Sequence, residues 1–236
     1  MRIAAKFAPV LGLMLLAACS SGNDRPAEST GQTRLSVPTS SAHTSAKPTT
    51  TTTSPLPTTA PAAGTPMPTV IRWVEAGTAA DPERFHSATR DGETTDVSPD
   101  VAFVGASGAA RCATDKLVAG QLACLVTADG LPPKPSDVEG NWVANWVDFI
   151  GPTLDIGSLH GDPGRFTYGN GADLPTGQSL AFGDYRCRTD ATALVCVNYA
   201  HQSGVRISKA GVEPLGCLKP VPPQVGIGRQ FGCEPA

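Results

Sequence analysis

Cys19 is the residue whose surroundings point most directly to a chemical reaction. Arg2 and Lys6 form a short positive segment, and an apolar run of about twelve residues follows, from Phe7 to Ala18. A helix needs ~20 apolar residues to cross a membrane, so this shorter run predicts the apolar region of a signal peptide. The small residues before Cys19 let the backbone lie in a protease groove, and the thiol is the only strong nucleophile nearby. The pattern therefore predicts a signal peptide and an exported protein.

The four residues Leu16-Ala17-Ala18-Cys19 resemble the lipobox of bacterial lipoprotein signals. The resemblance implies that the thiol of Cys19 takes a diacylglycerol by thioether linkage and that residues 1–18 are then removed. Further acylation of the new amino group follows in such proteins, and two or more acyl chains anchor a protein firmly. We therefore expect a lipid anchor on the outer face of the cell membrane. The alternative is an ordinary signal peptide with a chance cysteine.

Setting Cys19 aside leaves an even number of cysteines, which suits complete pairing. They are Cys112, Cys124, Cys187, Cys196, Cys217 and Cys233. The cysteines of an exported protein normally form disulfides, although six cysteines leave many connectivities open. The first two neighbouring pairs each bracket a short segment between strand-like runs, and a hairpin would bring their ends together. We therefore predict sequential pairing, as Cys112–Cys124, Cys187–Cys196 and Cys217–Cys233.

The histidines do not form a recognisable catalytic or metal-binding pattern. The chain has no Cys-x-x-Cys, and His86, His160 and His201 show no ligand spacing, so no metal or other cofactor is expected. His160 stands near Asp155 and Asp162 and would in principle serve as an oriented base. The glycines and prolines around it indicate an exposed loop instead.

Three further motifs fall short of a functional pattern. Ser107 lies in Gly105–Gly108, which is not followed by the glycine of a Gly-x-Ser-x-Gly nucleophile elbow. Gly169–Gly171 lacks the helix that follows a phosphate-binding loop. An acidic group consists of Glu93, Asp96 and Asp100. Its spacing fits no EF-hand, so solvated acidic residues are expected rather than a weak Ca²⁺ site. We predict no catalytic residue.

The amino-acid composition narrows the classes of molecule that this protein can bind. The net charge is -3, aromatic residues make up 6% and charged residues 17% of the chain, and we find no basic stripe. Nucleic acid is therefore excluded as a partner. Residues 19–68 are rich in Pro, Ser and Thr and lack apolar periodicity, which predicts a disordered linker behind the lipidated cysteine. Its Thr and Ser clusters are suited equally to O-glycosylation and to a bare spacer. Residues 69–236 are expected to form a folded, disulfide-containing domain.

The pattern of the folded part predicts a mainly β protein. Val70, Ile71 and Val74 fall at helical spacing, and Asp81 followed by Pro82 is a helix start signal. Runs of strand-like alternation, for example 122–126 and 195–199, then follow as far as the C-terminus. Turn signals separate these runs. Residues 142–147 suit either a helix or a strand. We expect a small disulfide-stapled β-sheet or barrel-like domain of β-hairpins, preceded by one or two short N-terminal helices.

Two stretches of the folded part share a pattern. Residues 101–105 lead to Cys112, as residues 180–183 lead to Cys187, and each copy continues into a second cysteine within an apolar strand. The unit would be a strand, a turn and a strand with a disulfide across it. Two copies would pair into one sheet or a small barrel. Chance convergence on a stapled hairpin is the alternative.

The lipobox, the Thr/Pro stalk and the hairpins bracketed by cysteines resemble the Lpp-type lipoproteins of mycobacteria and related actinobacteria. The segment Gly183–Cys196, continuing into Ser203–Ser208, is similar to a secreted actinobacterial domain of uncharacterised function. The chain has Gln202-Ser203-Gly204-Val205 where that domain often has a glycine-rich turn with an aromatic residue. The resemblance covers most of the region from about residue 98 to residue 210, implies a cell-envelope location and carries no activity with it.

These observations favour a non-enzymatic binding or scaffold module, tethered by the lipid on Cys19 and contacting an envelope protein or glycan. An envelope hydrolase with an unrecognised active site is the second hypothesis. It requires Ser, His and an acidic residue to converge in one cleft. A structural spacer without a ligand is the third.

Overall fold

The computed structural model describes residues 58–115 and 118–234. The predicted signal peptide, Cys19 and residues 19–57 of the predicted linker lie outside this part of the chain. One α-helix, α1, spans Met67–Glu75, and 3₁₀ helices span Pro82–Phe85, Ala106–Gly108 and Gly164–Phe166. The strands are β1 Thr78–Ala79, β2 Ser87–Arg90, β3 Glu93–Asp96, β4 Ala102–Gly105, β5 Ala110–Thr114, β6 Leu122–Val126, β7 Trp142–Phe149, β8 Thr153–Leu159, β9 Asn170–Asp173, β10 Gln178–Phe182, β11 Tyr185–Thr189, β12 Ala193–Asn198, β13 Ser203–Ser208, β14 Gly211–Gly216, β15 Lys219–Val221 and β16 Ile227–Gly232. The expected mainly β class is confirmed.

The N-terminal helix forms where the apolar spacing predicts it. Val70, Trp73 and Val74 recur every three or four residues and are fully buried. They pack against Val195 and Val197 of strand β12, so α1 covers the outer face of a sheet. The second predicted helix is a single 3₁₀ turn, in which the carboxylate of Asp81 accepts a hydrogen bond from the backbone of the second residue of that turn.

Two sheets pack face to face around one core. The smaller sheet has the order β1-β10-β11-β12-β13-β14, and the larger has β15-β16-β8-β7-β6-β5-β4-β9-β2-β3. Phe103 and Ile156 of the larger sheet share a buried cluster with Leu180 and Ile207 of the smaller one. Residues 142–147, ambiguous in sequence, belong to strand β7 at the centre of the larger sheet, where Val147 and Phe149 face this core.

Three disulfides hold the sheets, and they join the pairs that the sequence predicts. Cys112–Cys124 and Cys187–Cys196 each link neighbouring strands with a Cα–Cα distance of 4.0 Å. Both lie in the core between the sheets. Cys217–Cys233 joins the segment after β14 to the end of β16, and so ties the two sheets together near the C-terminus.

The two hairpin units have the same strand pairing, but they do not share a sheet. In the larger sheet Phe103 pairs with Cys112, and Cys112 with Cys124. In the smaller sheet Leu180 pairs with Cys187, and Cys187 with Cys196. The expectation that two copies pair into one sheet is therefore wrong, because each copy buries its disulfide face against the other. We call the copy built from β4–β8 the first half and that built from β10–β14 the second half.

The halves exchange their first strands. Strand β1 precedes the first half but pairs in parallel with β10 of the second. Strand β9 precedes the second half but pairs in parallel with β4 of the first. A glycine makes the close approach each time: a Cβ at Gly77 would lie 2.9 Å from the Cβ of Ser179, and one at Gly171 would overlap the backbone carbonyl of Ala102. Neither half is complete without a strand from the other part of the chain.

Candidate functional site

The outer face of the larger sheet carries an unusual row of side chains. The register aligns one residue from each of six neighbouring strands: Ala102, Ala113, Ala123, Asp148, Asp155 and Gln230. Three alanines make one part of the face shallow and apolar, whereas two carboxylates stand opposite each other on β7 and β8. The outer face of the larger sheet is therefore shallow and apolar on strands β4–β6 and polar on strands β7, β8 and β16.

A short segment crosses this face immediately before β9. The ring of Phe166 packs among the three alanines and meets Trp146 edge-on, with the ring centroids 5.0 Å apart. The guanidinium of Arg165 donates hydrogen bonds to the backbone oxygen of Gln121 at 3.3 Å and to its side-chain oxygen at 2.6 Å. The imidazole of His160 stacks on Trp146 with a centroid distance of 3.5 Å. These contacts hold the segment against the sheet.

A groove of about 670 Å³ lies between this segment and the strands, a volume typical of ligand sites. We call it the β4–β5 groove. Its lining consists of Asp96, Val97, Ser98, Asp100, Val101, Ala102, Ala113, Thr114, Asp115, Asp162, Pro163, Gly164, Arg165, Thr167 and Tyr168. Four carboxylates therefore face one guanidinium across an apolar floor. The excess of acidic groups disfavours anionic ligands.

Hydrogen bonds fix the walls of the groove. The hydroxyl of Thr114 donates to the carboxylate of Asp100 at 3.0 Å and accepts from the backbone N–H of Val101 at 3.0 Å. The backbone oxygen of Asp100 is bonded to the ring of His86 at 2.7 Å. Asp96 accepts from the backbone N–H of Ser98 at 2.8 Å, and this bond lowers the pKa of Asp96. On the opposite wall the backbone N–H of Gly164 donates to Asp162 at 2.8 Å.

In the second half, the chain itself covers the outer face that corresponds to the face with the β4–β5 groove. The sequence Arg-Cys-Ala-Thr-Asp at 111–115 recurs as Arg-Cys-Arg-Thr-Asp at 186–190, and each copy includes the last residues of the first disulfide strand. Ala113 thus corresponds to Arg188, whose guanidinium lies 4.3 Å from the Trp73 ring centre and donates to the Trp73 carbonyl. Helix α1 seals the second half, whereas the corresponding place in the first half holds one 3₁₀ turn.

The chain itself occupies the region beside the second copy of the motif. The backbone N–H of Ala60 donates to the carboxylate of Asp190 at 2.6 Å, Pro61 is buried, and Ala60 packs against the cluster that contains Trp73. Ala60 and Pro61, which lie within the predicted linker 19–68, are therefore packed against the folded part of the chain. Asp190 is the counterpart of Asp115, which lines the β4–β5 groove.

A second difference between the halves concerns two facing charges. Arg206 pairs with Glu213 across β13 and β14, and a salt bridge joins them. The corresponding positions in the first half are Asp148 and Asp155. Burial raises the pKa of both carboxyls, and the negative charge of Asp148 further raises that of Asp155. Where the second half has an ion pair, the first half has two acids of like charge.

This acidic pair predicts a stability change with a definite pH dependence. The pKa of Asp148 is higher in the folded than in the unfolded protein, so the folded protein binds the proton of this carboxyl more tightly. The contribution of that proton to the free energy of unfolding is complete below the unfolded pKa. That contribution is lost as the pH rises through the folded pKa. Asp148→Asn should therefore raise Tm at pH 7 by about 2–4 °C, the equivalent of ~1 kcal/mol, and by less at pH 4. Thermal unfolding at both pH values checks this, with the exposed Asp137→Asn as control. A lower Tm for Asp148→Asn at pH 7 would contradict it.

One serine and one histidine of the larger sheet do meet. The hydroxyl of Ser158 and Nε2 of His160 are 2.8 Å apart. Burial, and secondarily the charge of Arg165, lowers the pKa of His160, which favours the neutral imidazole that a general base requires. Ser158 is only 9% exposed, however, and the carboxylate of Asp162 caps the backbone of Gly164. The pair has a nucleophile and a base without an open approach to the nucleophile.

The other sequence candidates lie apart from this pair. Ser107 sits in a tight turn with φ +53°, and His201 lies beside Gly151 on a different loop. Gly171 belongs to strand β9 and contacts β4, so Gly169–Gly171 is not a ligand loop. In residues 58–115 and 118–234 no three His, Cys, Asp or Glu side chains are grouped as metal ligands.

Sequence reasoning missed the β4–β5 groove because its walls come from three separate stretches of the chain. Its acidic members Asp96 and Asp100 were singled out, but as solvated residues. The repeated Arg-Cys-x-Thr-Asp motif was the signal that would have marked the site, since one copy lines the groove and the other contacts Ala60.

Comparison with known proteins adds no identification. No family model matches the chain, and neither a curated protein nor a solved structure is significantly similar to it. The three disulfides indicate an oxidising, extracytoplasmic location. Within the described ranges, the structure has no helix that is both long and apolar enough to cross a membrane.

Proposed function

We propose that this protein is a lipid-anchored lipoprotein of the Lpp type, displayed on the outer face of the cell membrane, and that it acts as a binding or scaffold module. Its partner, an envelope protein or glycan, binds in the β4–β5 groove. The supporting observation is the contrast between the halves. The chain's own helix α1 closes one outer face, and a 670 Å³ groove remains at the corresponding face of the other.

The tether fits this role. Residues 19–57 would extend up to roughly 120 Å in polyproline II geometry, at ~3.1 Å per residue. A flexible coil of the same length would span roughly 35 Å. Either distance carries the groove clear of the lipid headgroups while the lipid on Cys19 retains the protein at the membrane.

Blocking the groove should strongly reduce partner capture. Ser98 is exposed and lines the groove, so a tryptophan there adds bulk without altering the core. Full-length protein carrying Ser98→Trp should retain at least ~10-fold less envelope partner after crosslinking and purification than the unaltered protein, a loss of ~1.4 kcal/mol. Thr176→Trp places the same side chain at an exposed residue outside the groove lining and should capture normally. Equal capture by both variants would refute a groove-bound partner.

A hydrolase is the second candidate, and the hydrogen bond between Ser158 and His160 is the observation that favours it. Hydrolysis of p-nitrophenyl esters separates the two functions. A binding module gives the same background rate for the unaltered protein and for Ser158→Ala. A rate above background that disappears in Ser158→Ala, with binding retained, would assign the ester-cleaving role to this pair instead.

A further inference from the structure

The β4–β5 groove has an internal counterpart that shows what kind of ligand such a place holds. In the second half, Asp190 ends the motif Arg-Cys-Arg-Thr-Asp and accepts the backbone N–H of Ala60. The following residue, Pro61, is buried. The occupant is thus a short piece of polypeptide that arrives from the linker and is held through its main chain.

In the described part of the chain, the first half presents the corresponding groups along the β4–β5 groove. Thr114 and Asp115 correspond to Thr189 and Asp190, and both line the groove. Asp190 accepts hydrogen bonds from the backbones of Ala60, Thr192 and Ala193 and from the hydroxyl of Thr192. A carboxylate at this position therefore serves its own turn and a passing chain at once, as its several lone pairs allow.

The charge of the groove selects the sequence of the segment. Besides Asp115, the carboxylates of Asp96, Asp100 and Asp162 line it, and Arg165 is the one basic side chain among the lining residues. Lysine or arginine side chains of a bound peptide would meet this excess of negative charge, whereas phosphorylated, nucleic acid or acidic ligands would be repelled. Backbone N–H groups of the peptide add donors to an acceptor-rich wall.

We propose that the β4–β5 groove binds a basic, extended segment of a partner protein, which takes the place that residues around Ala60 take in the second half. This inference rests on the proposed function and specifies its ligand. Asp115 receives a backbone N–H of the segment, and the remaining acidic residues receive its lysine or arginine side chains. The apolar floor of Ala102 and Ala113 accommodates small residues between them.

Three labelled heptapeptides test the proposal by fluorescence anisotropy with the full chain. TTAPAAG reproduces residues 58–64, KKAPKKG is its basic counterpart and EEAPEEG its acidic one. KKAPKKG should bind at least ~10-fold more tightly than EEAPEEG at low salt, with TTAPAAG between them, and the difference should shrink in 0.5 M salt. Equal binding of the basic and acidic peptides, or none by KKAPKKG, would overturn the proposal.

Variants locate the peptide on the protein. Asp115→Asn and Asp162→Asn should each weaken KKAPKKG binding by ~3–10-fold, and the exposed Asp184→Asn should leave it unchanged. Because the peptide comparison uses the unaltered protein, it remains decisive if a variant folds poorly. Unchanged affinity in folded Asp115→Asn and Asp162→Asn would place the peptide elsewhere and contradict the inference.

The outcomes also separate this inference from the proposed function. Failure of KKAPKKG to bind, while Ser98→Trp still strongly reduces partner capture, would refute a basic peptide and leave groove binding in place. Binding of the neutral oligosaccharide maltotetraose instead of the peptide would point to a glycan ligand. Capture that ignores Ser98→Trp would refute the proposed function itself.

Discussion

Gly171→Ala should destabilise the protein by at least ~3 kcal/mol, the largest effect expected of any single methyl addition. A Cβ at this position would overlap the backbone carbonyl of Ala102, where β9 pairs with β4. No side chain can move aside to make room, so the two strands must separate. Strand β9 precedes the second half but pairs with β4 of the first half. The substitution therefore disrupts a strand pair that joins the two halves.

A graded series of glycines tests this explanation. Gly77 makes the corresponding approach, but there an added Cβ would lie 2.9 Å from the Cβ of Ser179 and 3.1 Å from its backbone nitrogen, whereas at Gly171 it would overlap the Ala102 oxygen, so at Gly77 a small displacement of the strands relieves the contact. Gly77→Ala should therefore cost less, about 1–2 kcal/mol. Gly161 has no atom within 4 Å of an added Cβ, so Gly161→Ala is the neutral control. Urea unfolding should rank them in this order. Equal stability of Gly171→Ala and Gly161→Ala would contradict the strand exchange.

Removing the disulfide at the centre of the second half should have the other large effect. The Cys187–Cys196 bond closes a loop with a sequence separation of 9, and both residues are fully buried. Chain entropy assigns ~2.5–3 kcal/mol to a loop of this size, and replacement by alanine adds lost core packing. The double variant Cys187→Ala, Cys196→Ala should therefore lose at least ~3 kcal/mol and melt ~6–12 °C lower.

The C-terminal disulfide provides the comparison. Cys217–Cys233 spans 16 residues of sequence separation, so its entropic contribution is similar, but both cysteines are partly exposed. Replacing this pair by alanine should cost ~3 kcal/mol without the packing loss. Differential scanning calorimetry should place the Cys187/Cys196 variant below the Cys217/Cys233 variant. The reverse order would show that the buried disulfide adds nothing to the core.

Local patterns made much of this fold predictable. The spacing of Val70 and Val74 indicates helix α1, and alternation around Cys124 and Cys196 indicates strands, because both signals reside in neighbouring residues. Pairing of neighbouring cysteines follows from the same hairpins. Residues 142–147 were ambiguous because Trp142 and Trp146, four residues apart, share a face in either a helix or a strand, and only their position between β6 and β8 makes them a strand.

The parallel strand pairs and the β4–β5 groove could not be predicted from local sequence patterns. Strand β1 consists of two residues, and its partner lies about a hundred residues away, so nothing local encodes the pairing. The groove floor is built from alanines, which are common everywhere, and its acidic residues resemble ordinary surface charges. Its significance emerges from comparison of Asp115 with Asp190 and of the Asp148–Asp155 pair with Arg206–Glu213, which requires the strand register.

The central claim is that a lipid on Cys19 displays the groove at the cell surface, and mass spectrometry of the mature N-terminal peptide tests it most directly. The account predicts a chain that begins at Cys19 and carries the added mass of a diacylglycerol, with or without a further acyl group. A Cys19→Ala variant should lose this modification and leave the membrane fraction. An unmodified Cys19 in the mature protein, or cleavage at another position, would contradict the account.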